Sequence, residues 1–194
     1  TEFMQDINHE IDRLSGIITD LLTLTQMDSH SSPLRVTKED LSALTEETVH
    51  TLQIAAEQKG QTLTADIAPG ITLDGDSGKL MQIFYNLTDN AIKYTPENGH
   101  IAVRLAQSGA NVLVAVTDDG IGIPDKDRDR IFDRFYRVDK ARSREVGGTG
   151  LGLSIVSDTV RRRGGTVSVA HRPAGQGTLF TVRLPQVTEE GGST

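Results

Sequence analysis

The chain has 194 residues, of which 36% are hydrophobic, enough to bury the core of one ordinary domain plus an appendage. Its formal net charge of −7 argues against a nucleic-acid partner, because nucleic-acid phosphates bind to basic surfaces. The absence of cysteine excludes disulfide bonds and thiolate metal sites. No stretch approaches the ~18 consecutive apolar residues of a membrane-spanning helix, so the composition predicts a soluble globular domain.

The first segment has the pattern of a long helix. Residues 1–3 are typical of a cloning remnant, so we expect the natural protein to continue upstream. From there to about Asp28, apolar residues recur three and four positions apart, which predicts one helix with an apolar stripe that needs a partner. Residues 29–36 contain serines and a proline and are expected to form a linker. The stripe consists of Met4, Ile7, Ile11, Leu14, Ile18, Leu21 and Thr25.

Residues 37–186 alternate between helical and strand patterns. Apolar spacing predicts helices over Lys38–Lys59, Ser77–Tyr94 and Leu151–Arg163. Because helices and strands are interspersed without strict βαβ repeats, we expect an α+β fold with helices on one face of a mixed, largely antiparallel sheet. We call residues 119–148 the lid segment, since a loop of this length is usually a functional lid or disordered. Residues 187–194 are expected to be a disordered tail. Strands are predicted over Thr62–Ile67, Ile71–Leu73, His100–Ala106, Val112–Thr117, Thr166–Ala170 and Leu179–Leu184.

Two asparagines lie one helical turn apart in the predicted helix Ser77–Tyr94. Asn86 and Asn90 therefore share a face, and Lys93 and Tyr94 follow about one turn further along. Amide oxygens can serve as hard ligands for Mg²⁺, which fills its shell with water and nucleotide phosphates. A nearby lysine adds a point charge that can contact a phosphate. A surface helix whose amides face water explains the pattern equally well.

Two glycine-containing motifs can hold a nucleotide. Asp118 ends an apolar strand pattern, where its carboxylate can accept a hydrogen bond from an adenine amino group while Gly120 and Gly122 let the backbone approach the ring. Taken alone, this motif is more often a strand-terminating turn. The run 147–153 precedes a helix, whose N-terminus and loop N–H groups can face phosphate oxygens. It lacks the Gly-Lys-Ser/Thr of a Walker A loop, and a flexible hinge is the alternative.

Five motifs in fixed order resemble the N, G1, F, G2 and G3 boxes of the histidine kinase catalytic domain. They read NLTDNAIKYT, DDGIGI, IFDRFYR, GGTGLGL and GQGTLF. The similarity runs from about Thr37 to Pro185 and extends into the preceding helix, with a particular likeness to the cell-wall-regulating sensor kinases of Gram-positive bacteria. It implies a Bergerat-type (GHKL) two-layer sandwich of a mixed sheet and helices, in which ATP lies under a mobile lid.

The resemblance implies a role for each matching residue. Asn90, with Asn86 beside it, would coordinate Mg²⁺, and Asn90 and Lys93 would be the catalytic residues. Lys93 and Tyr94 would lie near the phosphates and the adenine edge, and Asp118 would bind the adenine amino group. The anchors of the lid would be Phe132 and Phe135, and its further basic residues are Lys140, Arg142 and Arg144. The other implied nucleotide contacts are Gly120, Gly122, Ile123, Arg137, Gly148, Thr149, Gly150, Leu151, Gly152 and Thr178.

A histidine kinase also needs an acceptor imidazole, usually followed by an acidic residue. His9 precedes Glu10, but the sequence HEIDRL lacks the basic residue, threonine and proline that continue the family pattern. Residues 4–28 instead resemble the second helix of the dimerisation hairpin, so we expect the acceptor upstream and no autophosphorylation by this chain alone. The remaining histidines lack this context and are expected to be structural or exposed: His30, His50, His100 and His171.

The resemblance thus implies the ATP-binding portion of a sensor histidine kinase, which relays a phosphoryl group through a histidine to a response-regulator aspartate. It implies the cytoplasmic portion of a membrane-anchored bacterial sensor, with its own phosphoacceptor hairpin and a response regulator as partners. The apolar stripe also predicts a homodimer. A non-catalytic nucleotide-binding module remains an alternative, as does another Bergerat ATPase. Other Bergerat ATPases hydrolyse ATP with a glutamate on the helix that carries the first asparagine of the site. In this chain the nearest acidic residue is Asp89.

Overall fold

The computed structural model describes residues 36–139 and 149–186, together with residues 7, 10, 11, 14–18, 21, 22 and 25. All the described residues before position 26 are helical, as expected for the first segment. Most of their apolar side chains are exposed, with Ile11 53% and Ile18 58% accessible to solvent. Several residues named above lie outside the described residues: His9, Lys140, Arg142, Arg144, Gly148 and the tail 187–194.

The described part of residues 36–186 contains helices and strands close to the predicted positions. A single 3₁₀ turn, Asp125–Asp127, lies in the described part of the lid segment. The helices are α1 (Leu41–Gln58), α2 (Ser77–Tyr94) and α3 (Gly152–Arg162). The strands are β1 (Thr37–Asp40), β2 (Thr62–Ile67), β3 (Thr72–Gly75), β4 (His100–Ser108), β5 (Asn111–Asp118), β6 (Thr166–His171) and β7 (Thr178–Pro185).

The predicted start of α1 at Lys38 is wrong. Residues 37–40 form β1, which pairs antiparallel with β3 so that Thr37 lies opposite Gly75. Asp40 then caps the helix, because its side chain accepts a hydrogen bond of 3.0 Å from the Ala43 N–H. The partner strand β3 lies far from β1 in sequence, so the local pattern gave no sign of the pairing.

The main sheet has the strand order β2-β4-β5-β7-β6. Only β2 and β4 run parallel, and the other neighbouring pairs are antiparallel, which confirms the predicted mixed, largely antiparallel sheet. α1 contacts β2, α2 contacts β4 and β5, and α3 contacts β6 and β7. One face of the sheet therefore meets all three of these helices, and the two-layer α+β fold is confirmed.

The core between the layers follows from the alternation of the strands and the apolar face of α2. Each large apolar side chain that is fully buried contributes about 1.5 to 3 kcal/mol to folding. α2 is fixed at its start by Asp76, whose carboxylate accepts a hydrogen bond of 3.1 Å from the Lys79 N–H. Core residues with at most 1% exposure include Leu80, Ile83, Phe84, Leu87, Ile101, Val103, Leu105, Val114, Val116, Phe180 and Val182.

Side chains from the connection between α1 and β2 hold the C-terminal end of α2. Lys59 Nζ donates to the Ile92 carbonyl at 2.7 Å, and buried Gln61 donates from Nε2 to the carbonyls of Ile92 and Thr95 at 2.9 and 2.5 Å. The last carbonyls of a helix have no partner within the helix, so these donors satisfy groups that would otherwise be left unpaired. The end of α2 is thereby fixed where it meets the candidate site.

Candidate functional site

Asp118 is a buried carboxylate at the end of β5. Strand alternation turns its side chain toward the helices, and only 4% of the residue is exposed. Its Oδ1 accepts a hydrogen bond of 2.9 Å from the Gly120 N–H, and the Thr178 N–H also donates to the carboxylate. Burial raises the pKa of Asp118 above the usual aspartate value, although these hydrogen bonds act in the opposite direction. The site therefore holds an acceptor of fixed orientation in an environment that excludes water.

The turn that follows Asp118 is pressed between two other segments. We call residues 118–122 the Asp118 turn. A Cβ added at Gly120 would lie 2.4 Å from the Tyr94 carbonyl oxygen at the end of α2. On the other side, a Cβ added at Gly177 would lie 1.9 Å from the Asp118 carbonyl oxygen, and Gly177 has a φ of +131°. Both glycines are therefore required by close packing, a requirement that the turn sequence alone did not reveal.

The two asparagines of α2 lie on the face that meets the start of α3. Asn86 and Asn90 are both partly exposed. A Cβ added at Gly152, the first residue of α3, would lie 3.5 Å from Asn86 Oδ1, so this amide lies beside the N-terminus of that helix. Lys93 Nζ lies 2.6 Å from Asp89 Oδ2, an ion pair between neighbouring turns of α2. The Asn86 amide and a helix N-terminus thus lie side by side, and a helix N-terminus suits an anionic ligand.

Phe135 of the lid segment lies against Gly150, which comes just before α3. The Phe135 N–H donates a hydrogen bond of 2.9 Å to the Gly150 carbonyl, and both residues have positive φ, +63° and +77°. The ring of Phe132 packs edge-to-face against Phe180 with centroids 6.3 Å apart, so it is fixed to the core. The ring of Phe135 is instead exposed, so this residue contributes only its backbone to the contact with Gly150.

The structure also describes Leu151, Thr149, Ile123, Arg137 and Gly122 among the other predicted site residues. Leu151 is fully buried, so its side chain belongs to the interior and only its backbone can face a ligand. The Leu151 N–H donates to Thr149 Oγ1 at 3.3 Å. Ile123 packs partly buried against the core, and Arg137 is partly exposed. Gly122 adopts a φ of +74° within the Asp118 turn.

Sequence reasoning missed two clusters beside the site. Tyr136 donates a hydrogen bond of 2.6 Å to Asp127 Oδ1, and the Arg130 guanidinium lies 4.4 Å from the centre of the Tyr136 ring. Asp119 contacts His100, which was expected to be structural or exposed. An acidic residue directly after Asp118 was the only signal of the second cluster, because His100 lies on a different strand.

Neighbouring Asp118 and Asp119 have opposite pKa shifts. Partial burial raises the pKa of Asp119, but hydrogen bonds from His100 and the charges of His100 and Arg172 outweigh this effect and leave it below the usual value. For Asp118, burial is the larger effect and the pKa is raised. The two adjacent carboxyl groups therefore have different chemical characters, one a buried acceptor and the other an ionised partner for cations.

The described residues fit a nucleotide with Mg²⁺ better than a metal held by protein alone. They contain no group of three or more histidine, aspartate or glutamate side chains that could hold a metal ion. Asn86 and Asn90 supply neutral oxygen atoms, and Mg²⁺ characteristically completes such a shell with water and phosphate oxygens.

No helix in the described part of the chain is long and apolar enough to cross a membrane.

Comparisons with known proteins identify the family of the chain. The family model of the histidine kinase-, DNA gyrase B- and HSP90-like ATPases matches residues 75–188. The chain is 35% identical to the sensor-like histidine kinase SenX3 of Mycolicibacterium smegmatis over 95% of its own length and 48% of the relative. It is 33% identical to the sensor histidine kinase WalK of Bacillus subtilis over 97% of its own length and 31% of the relative. It therefore spans less than half of either relative.

Among solved structures, the chain resembles ShkA in complex with AMPPNP. The TM-score is 0.81 at 28% sequence identity, over 96% of this chain and 39% of ShkA. The fold expected from the five motifs, and the likeness to sensor kinases of Gram-positive bacteria, are both confirmed by these similarities.

Proposed function

We propose that the chain, which belongs to the histidine kinase-, DNA gyrase B- and HSP90-like ATPases, binds Mg-ATP and positions its γ-phosphoryl group for transfer to a histidine. It carries the catalytic domain of the sensor histidine kinases. The observation that carries this proposal is the buried Asp118 carboxylate, which accepts hydrogen bonds from the Gly120 and Thr178 N–H groups. An acceptor fixed in this way can bind the amino group of adenine while the neighbouring glycine backbone approaches the ring.

The phosphate end of the nucleotide is assigned to α2 and the start of α3. Asn86 and Asn90 would hold Mg²⁺, which when bound neutralises phosphate charge and orients the phosphates. Lys93 and the lid residue Arg137 would place positive charge near the γ-phosphate. The other proposed contacts are Tyr94, Gly120, Gly122, Ile123, Gly148, Thr149, Gly150, Leu151, Gly152 and Thr178.

The reaction proposed for the intact protein is a displacement at the γ-phosphorus of ATP. An imidazole nitrogen of the acceptor forms the N–P bond, the bond to the bridging oxygen breaks, and ADP leaves with its electron pair. The imidazole proton passes to the acidic residue beside the acceptor. Asn90 and Lys93 contribute positioning and charge neutralisation, which account for most of the catalysis in phosphoryl transfer.

The proposal extends to the organisation of the intact protein. Residues 4–28 would form the second helix of the dimerisation hairpin, followed by a linker over 29–36, the ATP-binding domain over 37–186 and a tail over 187–194. The acceptor histidine would lie upstream, together with a membrane anchor, so that this chain is cytoplasmic and does not phosphorylate itself. A response regulator would receive the phosphoryl group from the hairpin.

Titration calorimetry with Mg-ATP tests the binding site. Asn90→Ala should weaken Mg-ATP binding roughly tenfold or more by removing one metal ligand. Asn111→Ala, at the start of β5 beside the distant β4–β5 turn, is the matched control and should leave affinity unchanged. Equal affinity of the Asn90→Ala variant and the unaltered chain would count against the site and favour a non-catalytic module.

Incubation with γ-labelled ATP tests the reaction. The chain alone should gain no acid-labile label, because its acceptor lies upstream. Label on His9 would show that residues 4–28 had been assigned to the wrong helix. Steady release of inorganic phosphate that is lost in Asp89→Asn would instead favour an ATPase related to the other members of the family.

A further inference from the structure

The Asp119 carboxylate joins the start of β4 to the segment that follows β6. Its Oδ1 accepts a hydrogen bond of 2.6 Å from the His100 N–H, and its Oδ2 lies 2.9 Å from His100 Nδ1. The same Oδ2 lies 3.9 Å from Arg172 Nη1. The Asp119 side chain is only 23% exposed, so water does not fully screen these contacts.

This cluster is continuous with the Asp118 turn on both of its sides. The Asp119 N–H donates to the His100 carbonyl at 3.2 Å, which extends the strand pairing by one residue beyond Asp118. The Arg172 N–H donates to the Gly177 carbonyl at 3.3 Å. A Cβ at Gly177 would lie 2.9 Å from Asp119 Cα, so the turn has little room to shift. Asp119 therefore fixes the backbone next to the Asp118 acceptor.

The cluster also sets the charge around Asp118. After burial, which is the largest cause of its raised pKa, the negative charge of Asp119 raises that pKa further and the positive charge of Arg172 lowers it. His100 Nδ1 faces the Asp119 carboxylate. The net influence of Asp119 on nucleotide binding thus combines a favourable geometric effect with an unfavourable charge effect that Arg172 offsets.

We propose that Asp119, held by His100 and Arg172, is a positioning residue for adenine: it fixes the Asp118 turn so that the Asp118 carboxylate faces the amino group of the base. The inference rests on the proposed function, because it concerns the adenine end of the same site. Asp119 does not touch the nucleotide in this scheme and acts only through Asp118.

The test compares ADP with inosine diphosphate, which has an oxygen in place of the adenine amino group. Asp119→Ala should weaken ADP binding roughly five- to tenfold, the size expected for loss of a charged hydrogen-bond network. Binding of inosine diphosphate should change less than twofold, because that base has no amino group for Asp118 to bind. Asp119→Asn keeps Oδ1 and should show a smaller loss. All affinities are measured by titration calorimetry on folded protein.

Further variants keep the test decisive. His100→Ala removes the side-chain contact from an exposed position and should reproduce part of the selective loss even if Asp119→Ala fails to fold. In an Asp118→Asn background, Asp119→Ala should cause no further loss of ADP affinity, because residues acting through one contact are non-additive. Asp66→Ala is the matched control: it removes the exposed ion pair with Arg104, 3.3 Å long, and should leave both affinities unchanged.

The outcomes separate the inference from the proposed function. Equal losses for ADP and inosine diphosphate, or no loss for either, would overturn the positioning role while leaving nucleotide binding in place. The positioning role would also be overturned if Asp119→Ala weakened ADP binding as much in the Asp118→Asn background as in the unaltered chain. If the unaltered chain bound no ADP at all, the proposed function itself would fail.

Discussion

Asp118 and Thr178 lie opposite each other on the paired strands β5 and β7, and the Thr178 N–H donates a hydrogen bond to the Asp118 carboxylate. Strand pairing, which is a backbone property, therefore fixes the side chain that we assign to adenine. Both residues are buried, with 4% and 5% of their surface exposed. A change in the register of β7 would move this donor away and disturb the acceptor.

Asp118→Asn should weaken ADP binding roughly tenfold to a hundredfold, since a charged hydrogen bond to the adenine amino group is lost. The measurement is titration calorimetry at neutral pH, with circular dichroism to confirm folding. Asp66→Asn removes a carboxylate from the edge strand β2, two strands away from Asp118, and should bind ADP normally. Unchanged ADP affinity in the Asp118→Asn variant would refute the assignment of Asp118 to adenine.

The affinity for ADP should fall as the pH is lowered, with a midpoint above the usual aspartate value of about 3.9. Burial raises the pKa of Asp118, so the protonated form, which is a poorer acceptor for an amino group, forms at a higher pH than usual. Comparison with Asp118→Asn isolates this group, because the variant should lack that midpoint. Identical pH profiles for the two proteins would contradict the prediction.

The raised pKa of Asp118 affects stability in the opposite direction from its effect on ADP affinity. A carboxyl group whose pKa is raised on folding binds its proton more tightly in the folded state. Its contribution to the free energy of unfolding therefore rises as the pH falls through the raised pKa, while ADP affinity falls. Urea unfolding of the unaltered chain and of Asp118→Asn across this pH range would reveal the difference.

Gly177→Ala should destabilise the fold by at least about 3 kcal/mol. The added Cβ would meet the Asp118 carbonyl oxygen at 1.9 Å, and the backbone φ of +131° disfavours any side chain. Gly175→Ala is a close control, because Gly175 lies in the same turn with a φ of +113° but has open space around its Cβ position. It should cost only about 1 to 2 kcal/mol for the backbone conformation. Equal destabilisation in urea would exclude the proposed clash.

Gln61→Leu should reduce the free energy of unfolding by about 1 to 2 kcal/mol, because carbonyl groups at the end of α2 lose a buried donor. Gln53→Leu provides the comparison, since its amide donates a hydrogen bond of 3.1 Å to Glu57 on the exposed side of α1. That change should stay within about 0.5 kcal/mol. A similar cost for both variants would mean that the end of α2 does not depend on Gln61.

The exposed apolar stripe of the N-terminal helix should cause self-association. Ile11, Leu14, Ile18 and Leu21 are between 43% and 58% exposed, which suits a partner helix. Light scattering should give a dimer at high concentration, and Leu14→Glu with Ile18→Glu should give a monomer. Ile54→Glu alters an isolated exposed side chain on α1 and should not affect the mass. A monomer at every concentration would refute the dimer.

The predicted helices and strands agree with the structure to within a few residues where local signals were strong. The spacing from Leu80 to Ile92 predicted α2 correctly because one apolar face must be buried. The start of α1 was wrong because β1 depends on pairing with β3. For the site, the motif residues Asn86, Asn90 and Asp118 were found from their spacing and their resemblance to a family, and their roles remain predictions.

The sequence by itself determined the periodic elements, the glycine positions and the order of the motifs, because these depend on neighbours along the chain. The tertiary structure alone decided that Gly177 would press on Asp118, that Gln61 would hold the end of α2 and that His100 would bind Asp119. Each of these contacts joins residues that are distant in sequence. The contacts of Gly177 and His100 arise only when β4, β5 and β7 pair in register, since strand pairing determines which distant backbone atoms meet.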